Sequence, residues 1–254
     1  MGDDGLFADF DSLFGESRVN HGGPGAGPVV WQSEGSGPIT LEVSPQSSTG
    51  LMAHFVWQSS MTLAELLAAR RLAPLVDVSP DSVVVELGSG AALPSLVCDL
   101  VLGAKCVLAT DYPDDNVLEA MRRNAAHNKC SDRLRVLGLD WEAEDGASKV
   151  QLAASGSEVD YILAADCLWM PQYHGALLKT VLSLMRTPRT LLVMAFMHHD
   201  FDGTVASKFT SALVGSGEVE LVAHTQHNWR KDKAHLPGKE EYGDVQVMVF
   251  RKRR

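Results

Sequence analysis

The chain has 254 residues, of which 45% are hydrophobic and 21% are charged. This length and apolar content suffice for one large α/β domain with a tail, so that no second domain is required. Acidic residues exceed basic residues by 32 to 22, which gives a formal charge of −10. This excess argues against a nucleic-acid partner, because an acidic protein repels the phosphate backbone.

Cysteines and apolar runs indicate the compartment. No apolar stretch approaches the roughly 18 residues of a membrane-spanning helix, and the first residues lack a signal-peptide pattern. The cysteines have no Cys-x-x-Cys spacing, which predicts buried free thiols and neither a disulfide framework nor a metal site; they are Cys98, Cys106, Cys130 and Cys167. We therefore expect a soluble, monomeric protein of the cytoplasm, with the nucleus as an alternative.

The first fifty residues differ in character from the rest. Residues 21–28 and 33–38 are crowded with glycine, serine and proline, a composition that predicts a mobile arm. Within this arm, Val29–Trp31 and Ile39–Val43 are apolar enough for a short hairpin. The acidic, amphipathic segment Leu6–Phe14 suits either a contact with the chain's own domain or a partner-binding motif.

A helix is predicted after the arm. Thr62 and Glu65 form a capping box that starts a helix running through Leu66 to Arg70. Trp57 precedes this start, and we expect its indole near a ligand crevice.

The next segment predicts a strand, a glycine loop and a helix. Val83–Val85 leads through Glu86 into the Gly88–Gly90 loop, where missing side chains let backbone N–H groups and a helix start approach a ligand. Pro94 fits the first turn of the helix that follows. A lone Gly-x-Gly is a weak signal, because glycine loops also end ordinary strands.

A second predicted strand, Cys106–Thr110, strengthens the prediction of a nucleotide-binding loop because the strand ends in Asp111. An acid at this point can accept both ribose hydroxyls of a bound nucleoside. Glu86 would repel the pyrophosphate of a dinucleotide, and Ala92 replaces the usual third glycine. Both features favour a ligand with positive charge, such as S-adenosylmethionine with its ammonium and sulfonium groups.

Two further strands end in acids. Leu134–Leu139 delivers Asp140 and Trp141, which suit an adenine because the indole covers a ring face and the carboxylate accepts from the exocyclic amine. Tyr161–Ala165 ends in Asp166. Successive strands therefore place acids at one carboxyl-end crevice, where open α/β sheets bind ligands.

The remaining chain predicts a helix, a strand, a second helix and a closing pair of strands. Between the closing strands lies a charged loop, and after them a basic segment that we expect to be a solvated tail. In chain order these are Tyr173–Met185, Thr190–Met197, Lys208–Val214, Val219–His224, the loop Lys231–Tyr242, Asp244–Phe250 and the tail Arg251–Arg254.

Three segments carry a family resemblance: Glu86–Ser95, Ala109–Asp114 and Ala165–Met170. They resemble class I methyltransferases of methyltransferase family sixteen, a lysine-methyltransferase-like group, in its branch of elongation-factor methyltransferases and nicotinamide N-methyltransferase-like proteins. The resemblance implies an α/β, Rossmann-like seven-stranded sheet with helices on both faces and a C-terminal antiparallel hairpin. It also implies a methyltransferase domain over residues 51–254 that follows the arm 1–50.

The resemblance further implies roles for the candidate residues. Trp57 would contact the cofactor, the glycine loop would hold its methionine part, and Asp111 would hold the ribose. The full cofactor set is Trp57, Glu86, Gly88, Ser89, Gly90, Asp111, Asp140, Trp141 and Ala165, and the acceptor set is Asp166 and Trp169.

The acceptor side departs from the family pattern at two points. Trp169 stands where the family has tyrosine, and the segment Ala195–His199 replaces a Gly-x-His-Thr type. We expect His198 and His199 to rim the acceptor pocket. Trp169 and Phe196 would form its aromatic mouth, and Asp166 would orient the acceptor nitrogen rather than act as a general base.

The expected function is methyl transfer from S-adenosylmethionine to a protein amine, a lysine or an N-terminus, with a translation elongation factor as first candidate. The expected partner is a basic or lysine-presenting protein, without nucleic acid or membrane. Alternatives are a small-molecule, nicotinamide-like N-methyltransferase, a cofactor-binding scaffold without activity, and an NAD-dependent dehydrogenase, which Glu86 and the closing hairpin disfavour.

Overall fold

The computed structural model describes residues 27–34, 36–45, 52–199, 203–227 and 244–253. The strands are β1 (Val29–Trp31), β2 (Ile39–Leu41), β3 (Val83–Leu87), β4 (Cys106–Asp111), β5 (Leu134–Gly138), β6 (Tyr161–Ala165), β7 (Leu191–Phe196), β8 (Val219–His227) and β9 (Val245–Lys252). The helices are α1 (Gln58–Ala68), α2 (Leu93–Leu100), α3 (Asp115–His127), α4 (Gly146–Ala153), α5 (His174–Leu184) and α6 (Thr204–Gly215), with a 3₁₀ turn at Pro171–Tyr173. None of the described helices is both long and apolar enough to cross a lipid bilayer.

The main sheet has seven strands in the order β5-β4-β3-β6-β7-β9-β8. Neighbours from β5 to β7 are parallel, whereas β9 is antiparallel to both β7 and β8. This topology confirms the predicted Rossmann-like sheet with its C-terminal antiparallel hairpin. From β3 the chain proceeds outward through β4 to β5 and then returns to β6 on the other side of β3. Ligands of open α/β sheets bind where the strand order reverses in this way.

Helices cover both faces of the sheet. Successive side chains along a strand point to opposite faces, so Val84 packs toward α1, α2 and the β1–β2 hairpin, whereas Val85 packs toward α4, α5 and α6. The central strands are buried on both faces and therefore read as continuous apolar runs. This is why the sequence predicts their positions closely.

The start of α1 differs from the prediction. The helix begins at Gln58 with Trp57 as its N-cap residue, so that Thr62 lies inside the helix and is buried. The predicted capping box is wrong because α1 is buried on most of its surface, and tertiary packing outweighs the local capping signal. Glu65, its other member, accepts a hydrogen bond of 2.9 Å from the Ser33 hydroxyl instead.

The last strands also differ from the prediction. The predicted solvated tail begins inside β9, where Arg251 Nη2 lies 2.7 Å from Glu220 Oε1 and Lys252 Nζ lies 3.5 Å from Glu218 Oε2. These cross-strand pairs extend the β8–β9 hairpin beyond its apolar part. Two predicted segments, Leu6–Phe14 and Lys231–Tyr242, fall outside the described residues.

The β1–β2 hairpin forms as predicted and packs on the main domain. Trp31 pairs with Ile39 across the two strands and is 5% exposed. The inward side chains of both strands belong to the same core cluster as those of α1 and α2. The hairpin therefore buries its apolar face against the domain.

Candidate active site

A cleft of about 290 Å³ opens at the carboxyl ends of β3, β4 and β6, beside the reversal of strand order. Its lining is apolar and aromatic, with three aspartates among the polar groups. The lining residues are Met52, Ala53, Trp57, Gly88, Gly90, Asp111, Tyr112, Leu139, Asp140, Trp141, Ala165, Asp166, Cys167, Trp169, Met170, Gln172 and Tyr173.

The glycine loop forms one wall of the cleft. Gly88 and Gly90 have φ values of +61° and +53°, the left-handed region that favours glycine. A Cβ on Gly88 would lie 2.9 Å from the sulfur of Cys167 and 3.5 Å from the ring of Trp141. Glycine at position 88 therefore keeps both the backbone conformation and the space at the base of the cleft.

Hydrogen bonds from β4 hold this loop in place. The N–H of Ser89 donates to the carbonyl of Thr110 over 2.9 Å, and the N–H of Thr110 donates to the Ser89 hydroxyl over 3.1 Å. One residue later, the N–H of Gly90 donates to Asp111 Oδ2 over 2.7 Å. The ends of β3 and β4 are thus fixed relative to each other.

Asp111 is the buried carboxyl at this edge. Burial raises its pKa to about 6, and bonds from the N–H groups of Gly90 and Tyr112 oppose that rise. A carboxylate has about four acceptor positions, so two remain for a ligand. Asp111 can therefore hold a pair of hydroxyls while it keeps the loop in position.

Asp140 and Trp141 follow β5 and lie on the same side of the cleft. The carboxyl of Asp140 accepts the N–H of Glu142 over 2.9 Å, which closes a local turn. Thr180 of α5 donates its hydroxyl to the carbonyl of Trp141 over 3.3 Å. These bonds hold the backbone around Trp141, and its indole lies beside Gly88, where a planar ligand group can stack on it.

Asp166 lies on the opposite side of the reversal, directly after β6. Its φ of +58° is unusual for a residue with a side chain. The buried carboxyl accepts the Ser59 hydroxyl at 3.1 Å on Oδ2 and the His199 Nε2–H at 2.8 Å on Oδ1. Groups from α1 and from the end of β7 therefore converge on this one carboxyl.

Trp57 lies beside this pair at the beginning of α1. Its indole N–H donates to the carbonyl of Met52 over 3.0 Å. Its ring meets that of His199 edge-on, with centroids 5.6 Å apart. Trp57 therefore lies at the cleft, as the sequence predicts.

All residues of the predicted cofactor and acceptor sets line the cleft except Glu86 and Ser89. The Glu86 side chain turns inward and accepts both the N–H and the hydroxyl of Ser95 in α2, at 3.0 and 2.5 Å. Burial raises its pKa to about 8. Ser89 uses its hydroxyl between Thr110 and the carbonyl of Glu86. Both residues therefore hold the loop from the side that faces away from the cleft.

The predicted aromatic mouth is partly wrong. Phe196 is buried in the core on the α4–α6 face, because its place in β7 points it away from the cleft. The ring of His198 packs edge-on against Phe196 with centroids 5.7 Å apart. Of the two histidines, His199 is the one that contacts a cleft residue. Trp169 does line the cleft, accompanied by Tyr173.

Sequence reasoning missed several lining residues. Tyr112 and Leu139 directly neighbour predicted site residues, so a wider window around each strand end would have included them. Four more lie in the segment after β6, where the sequence predicts only Asp166 and Trp169; they are Cys167, Met170, Gln172 and Tyr173. Ser59 carries no signal in the sequence, since its contact with Asp166 depends on how α1 packs.

Two curated relatives match the chain at 27% and 28% identity. The protein N-terminal and lysine N-methyltransferase efm7 of Schizosaccharomyces pombe is 28% identical over 171 residues, covering 65% of this chain and 63% of the relative. The enzyme of the same name from Gibberella zeae is 27% identical over 181 residues, covering 66% and 64%. The matched part of the chain thus spans less than two thirds of each relative.

A solved structure and a family model complete the comparison. The structure of SMU.776 complexed with SAH superposes with a TM-score of 0.59 at 12% identity, covering 88% of this chain and 56% of that one, and shows the same fold. The model of the family described as lysine methyltransferase matches residues 37–212. Because this match covers most of the chain, the chain belongs to the lysine methyltransferase family.

Proposed function

We propose that the protein is an S-adenosylmethionine-dependent N-methyltransferase whose acceptor is a protein amine, a lysine or an N-terminus. The observation that carries this proposal is the placement of two buried carboxyls, Asp111 and Asp166, on opposite sides of the glycine loop in one cleft. Asp111 suits the nucleoside part of the cofactor, and Asp166 suits the acceptor amine.

The residues of the cleft fit this cofactor. The space at Gly88 would be closed by a Cβ, and it lies beside the indole of Trp141. Asp111 retains acceptor positions for the ribose hydroxyls, while Asp140 lies next to Trp141 for the adenine amine. When bound, S-adenosylmethionine would supply an electrophilic methyl group on a sulfonium.

The charge of the cleft fits a cationic acceptor. Among the described lining residues there are three aspartates and neither lysine, arginine nor histidine. Such a lining attracts an ammonium group, and the aromatic and apolar surroundings favour its neutral, nucleophilic form. Asp166 would orient the nitrogen for in-line attack, since its carboxyl is fixed by Ser59 and His199.

The relatives support a protein as the acceptor. Their names specify protein N-terminal and lysine methylation, and family membership agrees with the lysine part. The first candidate substrate is a translation elongation factor, because this branch of the family is the one that the chain resembles.

The proposal is tested with purified protein, labelled S-adenosylmethionine and a cell extract. We expect one or a few labelled protein bands, with mass spectrometry placing the methyl group on a lysine or a processed N-terminus. Asp166→Asn serves as the inactive control that still binds cofactor. Methylation of nicotinamide with no labelled protein would favour the small-molecule alternative. Cofactor binding without any labelled product would favour the scaffold.

A further inference from the structure

The side-chain amide of Asn124, in α3, joins three parts of the molecule. Its Oδ1 accepts the N–H of Glu42 at 2.7 Å, and its Nδ2 donates to the carbonyl of Glu42 at 2.8 Å. The same Nδ2 donates to the carbonyl of Ala91 at 3.1 Å. Asn124 is 1% exposed. Both donors and the acceptor of this buried amide are therefore in use.

Asn128, one turn later at the C-cap of α3, provides a comparison. Its Oδ1 accepts the N–H of Thr40 at 2.9 Å, and its Nδ2 donates to the carbonyl of Thr40 at 2.7 Å. Its second donor bonds to the carbonyl of Asn124 at 2.8 Å, within the helix. Both asparagines thus bond to the backbone at the end of the hairpin. They differ in two respects, because Asn124 is fully buried and also reaches Ala91, whereas Asn128 is half-buried.

Ala91 continues the loop that begins with Gly88. The bonds of Ser89 and Gly90 tie the first part of this loop to β4. The next residue, Ala92, has a φ of +63°, which is strained for a residue with a side chain. The Asn124 bond thus adds an anchor from α3 next to the strained position. Without the Asn124 side chain, the carbonyl of Ala91 would lose this buried hydrogen bond.

We infer that Asn124 is a positioning residue for the cofactor loop, and that through it the β1–β2 hairpin braces that loop. The inference rests on the proposed function, because it assigns the loop to cofactor binding. It makes the docked hairpin a support for the cofactor site, from outside the described cleft lining, which contains no hairpin residue.

The test compares Asn124→Ala with Asn128→Ala in the full chain. Circular dichroism first establishes a temperature at which both variants are folded, and calorimetry then gives the dissociation constant of S-adenosylmethionine. Both variants lose two bonds to the hairpin and should unfold at lower temperature than the wild type. We expect Asn124→Ala to bind cofactor about tenfold more weakly, and Asn128→Ala to bind within about twofold of the wild type.

Steady-state kinetics separates positioning from general damage. For Asn124→Ala, the KM for cofactor should rise while kcat at saturating cofactor and the KM for the acceptor stay near wild-type values. By linkage, cofactor should also stabilise the hairpin contact. Hydrogen exchange at the Glu42 amide should therefore slow on cofactor addition, and by more than exchange at the Thr40 amide.

Equal cofactor affinity for the two variants, or no difference between Glu42 and Thr40 in exchange, would overturn the inference. Failure of the wild-type protein to bind S-adenosylmethionine would instead refute the proposed function. The two failures are thus distinguished by the wild-type measurement alone.

Discussion

At position 111 a single carboxyl has two tasks, which are to hold the N–H of Gly90 and to offer its remaining acceptor positions to a ligand. Asp111→Ala should weaken S-adenosylmethionine binding by about 2–4 kcal/mol, since charge-assisted hydrogen bonds to two hydroxyls would be lost. Calorimetry measures the effect. Asp140→Asn is the matched control, because it keeps an oxygen for the Glu142 N–H and should change affinity by less than about tenfold.

A second pair of substitutions addresses the acceptor side. Asp166→Asn and His199→Ala should each lower kcat, the first by about 100-fold, because the orientation of the acceptor nitrogen is lost. The dissociation constant of the cofactor should stay within a few-fold of the wild type. His198→Ala is the neighbouring control, since that ring packs on Phe196 outside the cleft lining. Equal losses of turnover and cofactor affinity would assign Asp166 to the cofactor site instead.

At the scale of elements, the junction between β3 and α2 contains the buried carboxyl of Glu86. Burial raises its pKa from the ordinary value of 4.5, which applies to the unfolded chain, to about 8 in the folded protein. Below pH 4.5 the group is protonated in both folded and unfolded chains. As the pH rises toward 8, the unfolded chain ionises first and is favoured, so stability falls across this window.

Glu86→Gln should remove this dependence, because a neutral amide replaces the carboxyl. The free energy of unfolding, measured with denaturant at pH 5, 6, 7 and 8, should fall less steeply with pH for the variant than for the wild type. Asp111, whose pKa is raised to about 6, is present in both proteins, so the difference between the two curves reports on Glu86 together with its repulsion by Asp111. A difference that does not change with pH would mean that Glu86 is already ionised in the folded protein.

The elements also determine how much the sequence could predict. Strands β3, β4, β6 and β7 are buried on both faces, so the sequence shows them as continuous apolar runs. The edge strand β5 is only partly buried. All five strands are parallel, so the residues that follow them share one edge of the sheet. Gly88, Asp111, Trp141 and Asp166 were found in this way.

The rest of the site depends on contacts between elements that are distant in sequence. Ser59 reaches Asp166 across 107 positions, and Asn124 reaches Glu42 across 82. Such contacts depend on how helices pack on the sheet, and no local pattern specifies them. The inward turn of Glu86 has a different origin, since its partner Ser95 is only 9 positions away. It depends on how the β3–α2 turn brings the two side chains together.

The charge of the whole molecule bears on its substrate. The chain has a formal charge of −10, and the described cleft lining contains aspartates and no basic side chain. A basic protein substrate should therefore be steered toward the cleft, and kcat/KM at saturating cofactor should fall several-fold between about 0.05 and about 0.5 M salt. A neutral small molecule should show almost no such dependence. A protein substrate whose kcat/KM is unaffected by salt would exclude charge steering.

The reversal of strand order next to β3 separates the proposed cofactor residues from the proposed acceptor residues along the sequence. The residues proposed to hold the cofactor come mostly from 83–141. The carboxyl proposed for the acceptor, Asp166, and its imidazole partner, His199, follow β6 and β7. A change in the later stretch can alter what is methylated without rebuilding the earlier one. Acceptor preference can therefore diverge among proteins of this fold while the cofactor stays the same.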